Sequence, residues 1–331
     1  MQEYMRSLKK LLCAFHAEMH RPLAAALALS SFVAPAASSS AKRQQKIANA
    51  TLFVNEAHAY AASGGAGGAC NEEAYQHVEK MALLLSTDLM VTSRHYKQHS
   101  WGGIFAQGGG GGGESNKFSY GQVKSRFIFD RVCPKQKQIV QACEVGFMAG
   151  HTAMLFAEAA PQAKVLSFDL GSVALVPWLS KQNVRLKDAY GDRWMGVVKG
   201  SSLVTVPRWL KEHPGFKCDV VFVDGGKTTD IRASDFENFA KMSHPRTLVF
   251  FDEVTRQECV NGTASEADCR FDSQGKKISD ATTAKTAAGA GKASRNGILK
   301  VRQCKWPPGW EGLDGICAAR FTAAATGASK A

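Results

Sequence analysis

Cys143-Glu144-Val145-Gly146-Phe147-Met148-Ala149-Gly150-His151-Thr152-Ala153 is the stretch that decides the fold. An apolar run, Ile139-Val140-Gln141-Ala142-Cys143, leads into it, and a helical pattern from Thr152 to Ala160 leads out. The order is therefore strand, glycine turn, helix. Such a junction aims backbone N–H groups and a helix N-terminus at a ligand over the carboxyl edge of a sheet. Gly146 and Gly150 allow that ligand close to the backbone. Glu144 places a carboxylate at the strand end. The spacing is G-x-x-x-G, with Met148 in the interval, whereas a dinucleotide fingerprint requires G-x-G-x-x-G. This argues against NAD and against a phosphate cradle.

Outward from the turn, strands and helices alternate. Lys164–Asp169, Trp194–Lys199, Asp219–Asp224 and Thr247–Asp252 are short apolar runs, three of them ending in an acid. Helices are expected over Thr205–Glu212, with Pro207 confined to the first turn, and over Asp230–Lys241. This rhythm predicts a doubly wound α/β fold, Rossmann-like, with a mostly parallel sheet. Gly297–Val301 and Ile316–Thr322 supply two closing strands, expected as a reversed final hairpin. Acids at the carboxyl ends of strands lie where open α/β sheets bind ligands. Asp169, followed by Leu170, stands where a carboxylate accepts ribose hydroxyls. Asp224, Asp252 and Glu253 together offer hard oxygen ligands suited to Mg²⁺ or Ca²⁺.

The run E-V-G-F-M-A-G-H-T-A resembles the first motif of class I S-adenosylmethionine (SAM) methyltransferases. It is most similar to a eukaryotic group whose core is C-E-I-G-F-N-A-G-H-S-A. The resemblance spans roughly Phe129 to Glu253. It implies SAM as cofactor, with Glu144, Gly146, Phe147, Gly150 and His151 at the methionine end. Asp169 and Leu170 would then lie at the ribose, Ser201 and Ser202 at the adenine, and Asp224 beside the methyl group. Two positions depart from the group. Ser201 stands where G-D-S places an acid, and Lys227 replaces the histidine of V-D-G-G-H. A lysine among carboxylates stays protonated, so Lys227 is first a salt-bridging residue and only second a catalytic one. His151, at a helix N-terminus, is expected to be neutral and to position rather than carry protons. In catechol O-methyltransferase-like enzymes, acids at places comparable to Asp224, Asp252 and Glu253 hold Mg²⁺. The catalytic candidates are accordingly Asp224, Lys227 and Asp252. The implied reaction is O-methylation of a small molecule or glycan by direct displacement. The alternatives are a catalytically silent SAM-fold binding protein and a nucleotide- or NAD-binding enzyme of the same architecture.

The 331 residues carry a net charge of +12, which favours anionic partners. The cations are scattered without interleaved aromatics, which gives little support to nucleic-acid binding. Residues 1–40 resemble a targeting segment, with Lys9, Lys10 and Arg21 before an Ala/Leu-rich stretch and a small-residue site at Ala34-Pro35-Ala36. A secretory signal, a signal anchor and an organelle transit peptide all fit. A membrane contact is expected only through this segment. Residues 41–116 divide into a linker, a helix from Glu72 to about His95, and the low-complexity run Gly108–Gly113. The helix from Lys117 to about Arg131 is expected over the pocket mouth. The methyltransferase-like domain covers 117–322, with a polar insertion at about 255–296, and 323–331 form a frayed tail. Of nine cysteines, Cys143 and Cys218 are expected as buried thiols. Cys259 with Cys269, and Cys304 with Cys317, are candidate disulfides of an oxidising compartment.

Overall fold

The computed structural model describes residues 39–62, 70–92, 117–171, 176–265, 267–270, 281–306 and 315–327. Residues 1–38 of the expected leader, the linker before Cys70 and the Gly108–Gly113 run lie outside the described residues. The chain divides into two units, Met1–Gln45 and Lys46–Ala331. Everything below concerns the second.

Its sheet has seven strands: β1 Gln141–Val145, β2 Lys164–Asp169, β3 Trp194–Lys199, β4 Cys218–Val223, β5 Ser243–Val254, β6 Leu299–Lys305 and β7 Gly315–Phe321. The order across the sheet is β3-β2-β1-β4-β5-β7-β6. The first five strands run parallel; β7 runs antiparallel to both of its neighbours, β5 and β6, so β6 points the same way as the first five. The fold is the Rossmann-like, mostly parallel sheet with a reversed final hairpin. Strand order turns back at β1, which pairs β2 on one side and β4 on the other. That switch point opens a crevice over the carboxyl edge.

The strands are apolar because both faces are covered. Side chains alternate between two cores. Ala142, Val220, Phe222 and Phe250 face one core. Cys143, Val221, Val223 and Phe251 face the other. The first core is filled from the part of α1 (Ser39–Ala62) after Gln45, through Phe53 and Ala57, and from α2 (Glu72–Thr92), α3 (Lys117–Val132), α4 (His151–Ala159) and α5 (Val176–Tyr190). All nine residues of α4 are buried, because α2 covers the side turned away from the sheet. The second core is filled from α6 (Ser202–Glu212) and α7 (Thr229–Lys241), the short α8 (Gln257–Asn261), and α9 (Ala281–Arg295).

Three expectations change. Cys143 and Cys218 are not free thiols; they form a disulfide between β1 and β4. A cysteine in an apolar run has the same sequence signature whether or not a partner lies on the next strand. The other disulfides are Cys70–Cys133, Cys259–Cys269 and Cys304–Cys317. Second, the stretch 255–296, expected as a polar insertion, contains α8 and α9. Its Ala/Gly content permits close packing rather than looping. A Cβ on Gly289 would lie 2.6 Å from Arg232 Cβ, and one on Gly291 would lie 2.0 Å from the Cys259 carbonyl oxygen. Third, α6 begins at Ser202, so Pro207 falls inside it and offers no N–H to the carbonyl four residues back. Among the described residues no helix is long and apolar enough to cross a membrane.

Candidate active site at the carboxyl edge

The glycine turn is built by close approach. Gly146 has φ +98°, and a Cβ there would lie 2.5 Å from the Asp224 carbonyl oxygen. Its N–H donates to the Phe168 carbonyl at 2.8 Å, while Asp224 N–H donates to the Val145 carbonyl at 2.9 Å. The turn is thus stitched to both neighbouring strand ends. Gly150, at φ +79°, caps α4 without a side-chain hydrogen bond, which leaves first-turn N–H groups for another acceptor.

Asp169 braces this turn. Its Oδ2 accepts from Met148 N–H at 3.0 Å and its Oδ1 from Gly171 N–H at 2.7 Å. The first bond holds Met148 at φ +46°, outside the usual range for a side chain with a Cβ. Each oxygen keeps lone-pair capacity for a ribose hydroxyl. Leu170, beside it, is 67% exposed. Leu203, past the end of the paired strand β3, is 44% exposed. Two apolar side chains thus stand bare just beyond adjacent strand ends, and only the first was singled out from sequence. Exposed apolar side chains at a ligand edge become visible only once the strands are paired.

Glu144 is fully buried. Its Oε1 accepts from Ser167 Oγ at 2.6 Å, and its Oε2 has no hydrogen-bond partner. Burial pushes its carboxyl up to about 8; the Ser167 bond opposes this, and Asp169 and Asp224 add to it. It is a carboxylic acid poised to ionise when positive charge arrives.

Like Glu144, three further residues expected at the cofactor, Phe147, His151 and Ser202, have buried side chains. The Phe147 ring is buried, 5.5 Å from the Trp194 ring, so only its backbone is available to a ligand. His151 is buried under α2; burial lowers its imidazole to about 4, with a hydrogen bond to the Ala82 backbone opposing. It is neutral, as expected, and fixes α4 against α2. Ser202 is buried, and its hydroxyl opposes the rise that burial gives the Asp235 carboxyl. The Ser201 carbonyl takes the Val204 and Thr205 N–H groups at 2.9 and 2.8 Å.

The acidic rim is occupied by cations of the chain itself. Lys227 Nζ lies 2.7 Å from Asp224 Oδ1 and 2.9 Å from Glu253 Oε2. Arg232, fully buried, donates from Nη2 to Glu253 Oε2 at 3.3 Å, from Nη1 to the Val223 carbonyl, and from Nε to the Gly226 carbonyl at 3.2 Å. Asp252 turns to Lys124 of α3, whose Nζ is 2.5 Å from Oδ1. Burial alone would lower the Lys227 ammonium, yet Asp224 and Glu253 hold it above its ordinary value. It is therefore not a base. Burial raises the Glu253 carboxyl, against the pull of Lys227.

The expected metal set of Asp224, Asp252 and Glu253 does not form. A lysine ammonium spans two of the acids and the third faces a different lysine. Among the described residues no group of three or more His, Cys, Asp or Glu side chains is placed to hold a metal ion. Arg232 and Lys124 were not foreseen, because neither lies in a motif.

Residues 143–254 match the family model described as a methyltransferase domain. That span runs from Cys143 in β1 to the end of β5, so the matched residues coincide with the first five strands of the sheet and include every rim acid. No curated protein matches the chain. Solved structures similar to it include an O-methyltransferase from Bacillus cereus in complex with SAH, 16% identical over 60% of this chain and 80% of that one, TM-score 0.44. Another is the O-methyltransferase TomG from Streptomyces achromogenes, involved in tomaymycin synthesis and in complex with SAM, 20% identical over 60% and 79%, TM-score 0.43. A third is the SAH-bound methyltransferase PaMTH1 from Podospora anserina, 13% identical over 76% and 97%, TM-score 0.43.

Proposed function

We propose that the chain is a SAM-dependent methyltransferase of class I, of the eukaryotic group its first motif resembles. The observation carrying this reading is the match over residues 143–254, joined to a glycine turn braced by Asp169. Asp169 would take the ribose hydroxyls, Leu170 and Leu203 would flank the adenine, and the uncapped turn of α4 would receive the methionine carboxylate. An acceptor oxygen attacks the sulfonium methyl in line. The O–C bond forms as the S–C bond breaks, its electron pair stays on sulfur, and the acceptor proton leaves to solvent. Rate comes mainly from proximity and orientation.

The acceptor we infer is a small molecule or glycan with anionic character. Lys227 supports this, because its side chain is 43% exposed at the rim. A negatively charged acceptor group there would share the ammonium with Asp224 and Glu253. The step needs no divalent cation in this reading, since Lys227 stands between the acids that would hold one. The four disulfides support a secretory or extracellular location, because such bonds persist in oxidising compartments.

A silent SAM-binding protein is the second reading, favoured by Ser201 in place of an acid and by Lys227 held in ion pairs. Calorimetry with SAM, followed by methyl transfer to a panel of hydroxylated acceptors, separates the two. Saturable binding with turnover supports the enzyme, and binding without turnover supports the silent protein. No binding rejects both.

A further inference from the structure

A second charged site lies at the opposite edge of the sheet. Lys135, Arg246, Lys300, Arg302 and Arg320 line one cleft of about 450 Å³, together with uncharged residues that include Phe321 and Thr322. No acid is among the lining residues, and among the described residues none of these five cations forms an ion pair with a carboxylate. Strands β5 and β7 place the cleft at the amino edge. The seven residues of β7, roughly 20 Å at about 3.3 Å each, separate it from the carboxyl rim.

The fold brings these charges together against their repulsion. Lys300 is paired directly opposite Arg320 in the antiparallel ladder. Like charges so placed destabilise a sheet. The ladder then slips, from Val301↔Ala319 to Gln303↔Ala318, so Arg302 is the extra residue of a bulge. Bulges re-aim side chains, and this one adds Arg302 to the same cleft. Arg320 is held by donating to the Arg246 carbonyl. Burial and then Arg302 lower the Arg320 guanidinium, and burial and then Arg320 lower the Lys135 ammonium. Nothing in the packing requires five cations here, whereas an anion would relieve all of them.

We propose that this cleft binds a small, multiply charged anion carrying phosphate or sulfate groups. Its volume suits a sugar-sized ligand, and its planar guanidinium groups match tetrahedral oxyanions bidentately. The site is separate from the methyl-transfer crevice and does not depend on the function assigned there.

Calorimetry on the full chain at low ionic strength tests this with two probes, inorganic pyrophosphate and sucrose octasulfate, which distinguish a phosphate from a sulfate ligand. At least one is expected to bind saturably, to weaken steeply as salt rises, and to lose ten-fold or more in affinity in K300Q/R302Q. Without anion the same double variant is expected to melt higher than the parent, because the repulsion is relieved. If it melts lower, R246Q, altered at an exposed side chain, carries the comparison. Failure of both probes to bind overturns the proposal, as does affinity unchanged in the variants. A 20-base-pair DNA duplex that binds where neither small probe does also overturns it, in favour of a polymer surface.

Discussion

Lys124 and Asp252 form an ion pair of 2.5 Å in which neither side chain is more than 10% exposed. The pair ties α3 to the end of β5. Removing one partner of a buried pair strands the other charge, at a cost of about 3–5 kcal/mol. Lys124→Met is therefore expected to lower unfolding free energy by about that amount in urea denaturation. Lys124→Met with Asp252→Asn should recover most of the loss, because the amide still accepts from Glu253 N–H. Equal losses in the single and double variants would show that the pair is not coupled.

The Asp169 carboxylate holds both Met148 and Gly171 N–H groups. Asp169→Ala should weaken SAM binding at least ten-fold, about 1.4 kcal/mol. Asp169→Asn, which keeps one acceptor oxygen, should lie between. An alanine variant titrating like the parent rejects Asp169 as the ribose acceptor.

Two buried groups give stability a pH profile of opposite slopes. His151 falls from 6.5 to about 4 in the fold. The unfolded chain binds the extra proton between those values, so this contribution is full above 6.5 and is lost as pH falls toward 4. Glu144 rises from 4.5 to about 8. Here the folded chain binds the extra proton, so the contribution is full below 4.5 and is lost as pH rises toward 8. Of the two, only Glu144 acts between 6.5 and 8, and its contribution should decline there. Glu144→Gln should flatten that limb in melts taken across pH. If SAM brings positive charge near Glu144, binding at pH 7 should release a proton, read from calorimetry in buffers of different ionisation enthalpy.

Lys227 between Asp224 and Glu253 predicts activity indifferent to chelation. EDTA should leave SAM affinity and any methyl transfer within two-fold of the untreated protein. A loss restored by Mg²⁺ would contradict the reading of this rim.

Cys143–Cys218 closes a chain separation of 75 residues. On the loop-entropy model this is worth about 4 kcal/mol. The Cys143→Ala/Cys218→Ala double variant should therefore lose that order of stability under non-reducing denaturation.

The strand–helix alternation from Ile139 to Asp252 was legible because each strand is a short apolar run and each turn carries Gly or an acid. Gly146, Gly150 and Asp169 were legible for the same reason: their roles are local. What was hidden depends on distance in sequence. Lys124 and Asp252 are 128 residues apart, and α3 showed only its aromatics. Arg232 is one charge on a polar helix, and nothing local marks it as the fully buried one. Phe147 and His151 sit inside the motif, yet their side chains turn away from the crevice. Motif membership specified the backbone path, while neighbouring helices decided where the rings point. The 281–295 segment was misread because alanine and glycine signal flexibility in isolation and tight contact beneath a partner.

Gly289 has no functional atom of its own, yet its hydrogen rests where a methyl would press on Arg232. That arginine clasps Glu253 and the backbone at the end of β4. An enlarged residue at 289 would therefore disturb the electrostatics of a crevice that it never touches. A substitution screen scored on turnover should flag this silent position on a remote helix as sharply as the charged residues it steadies.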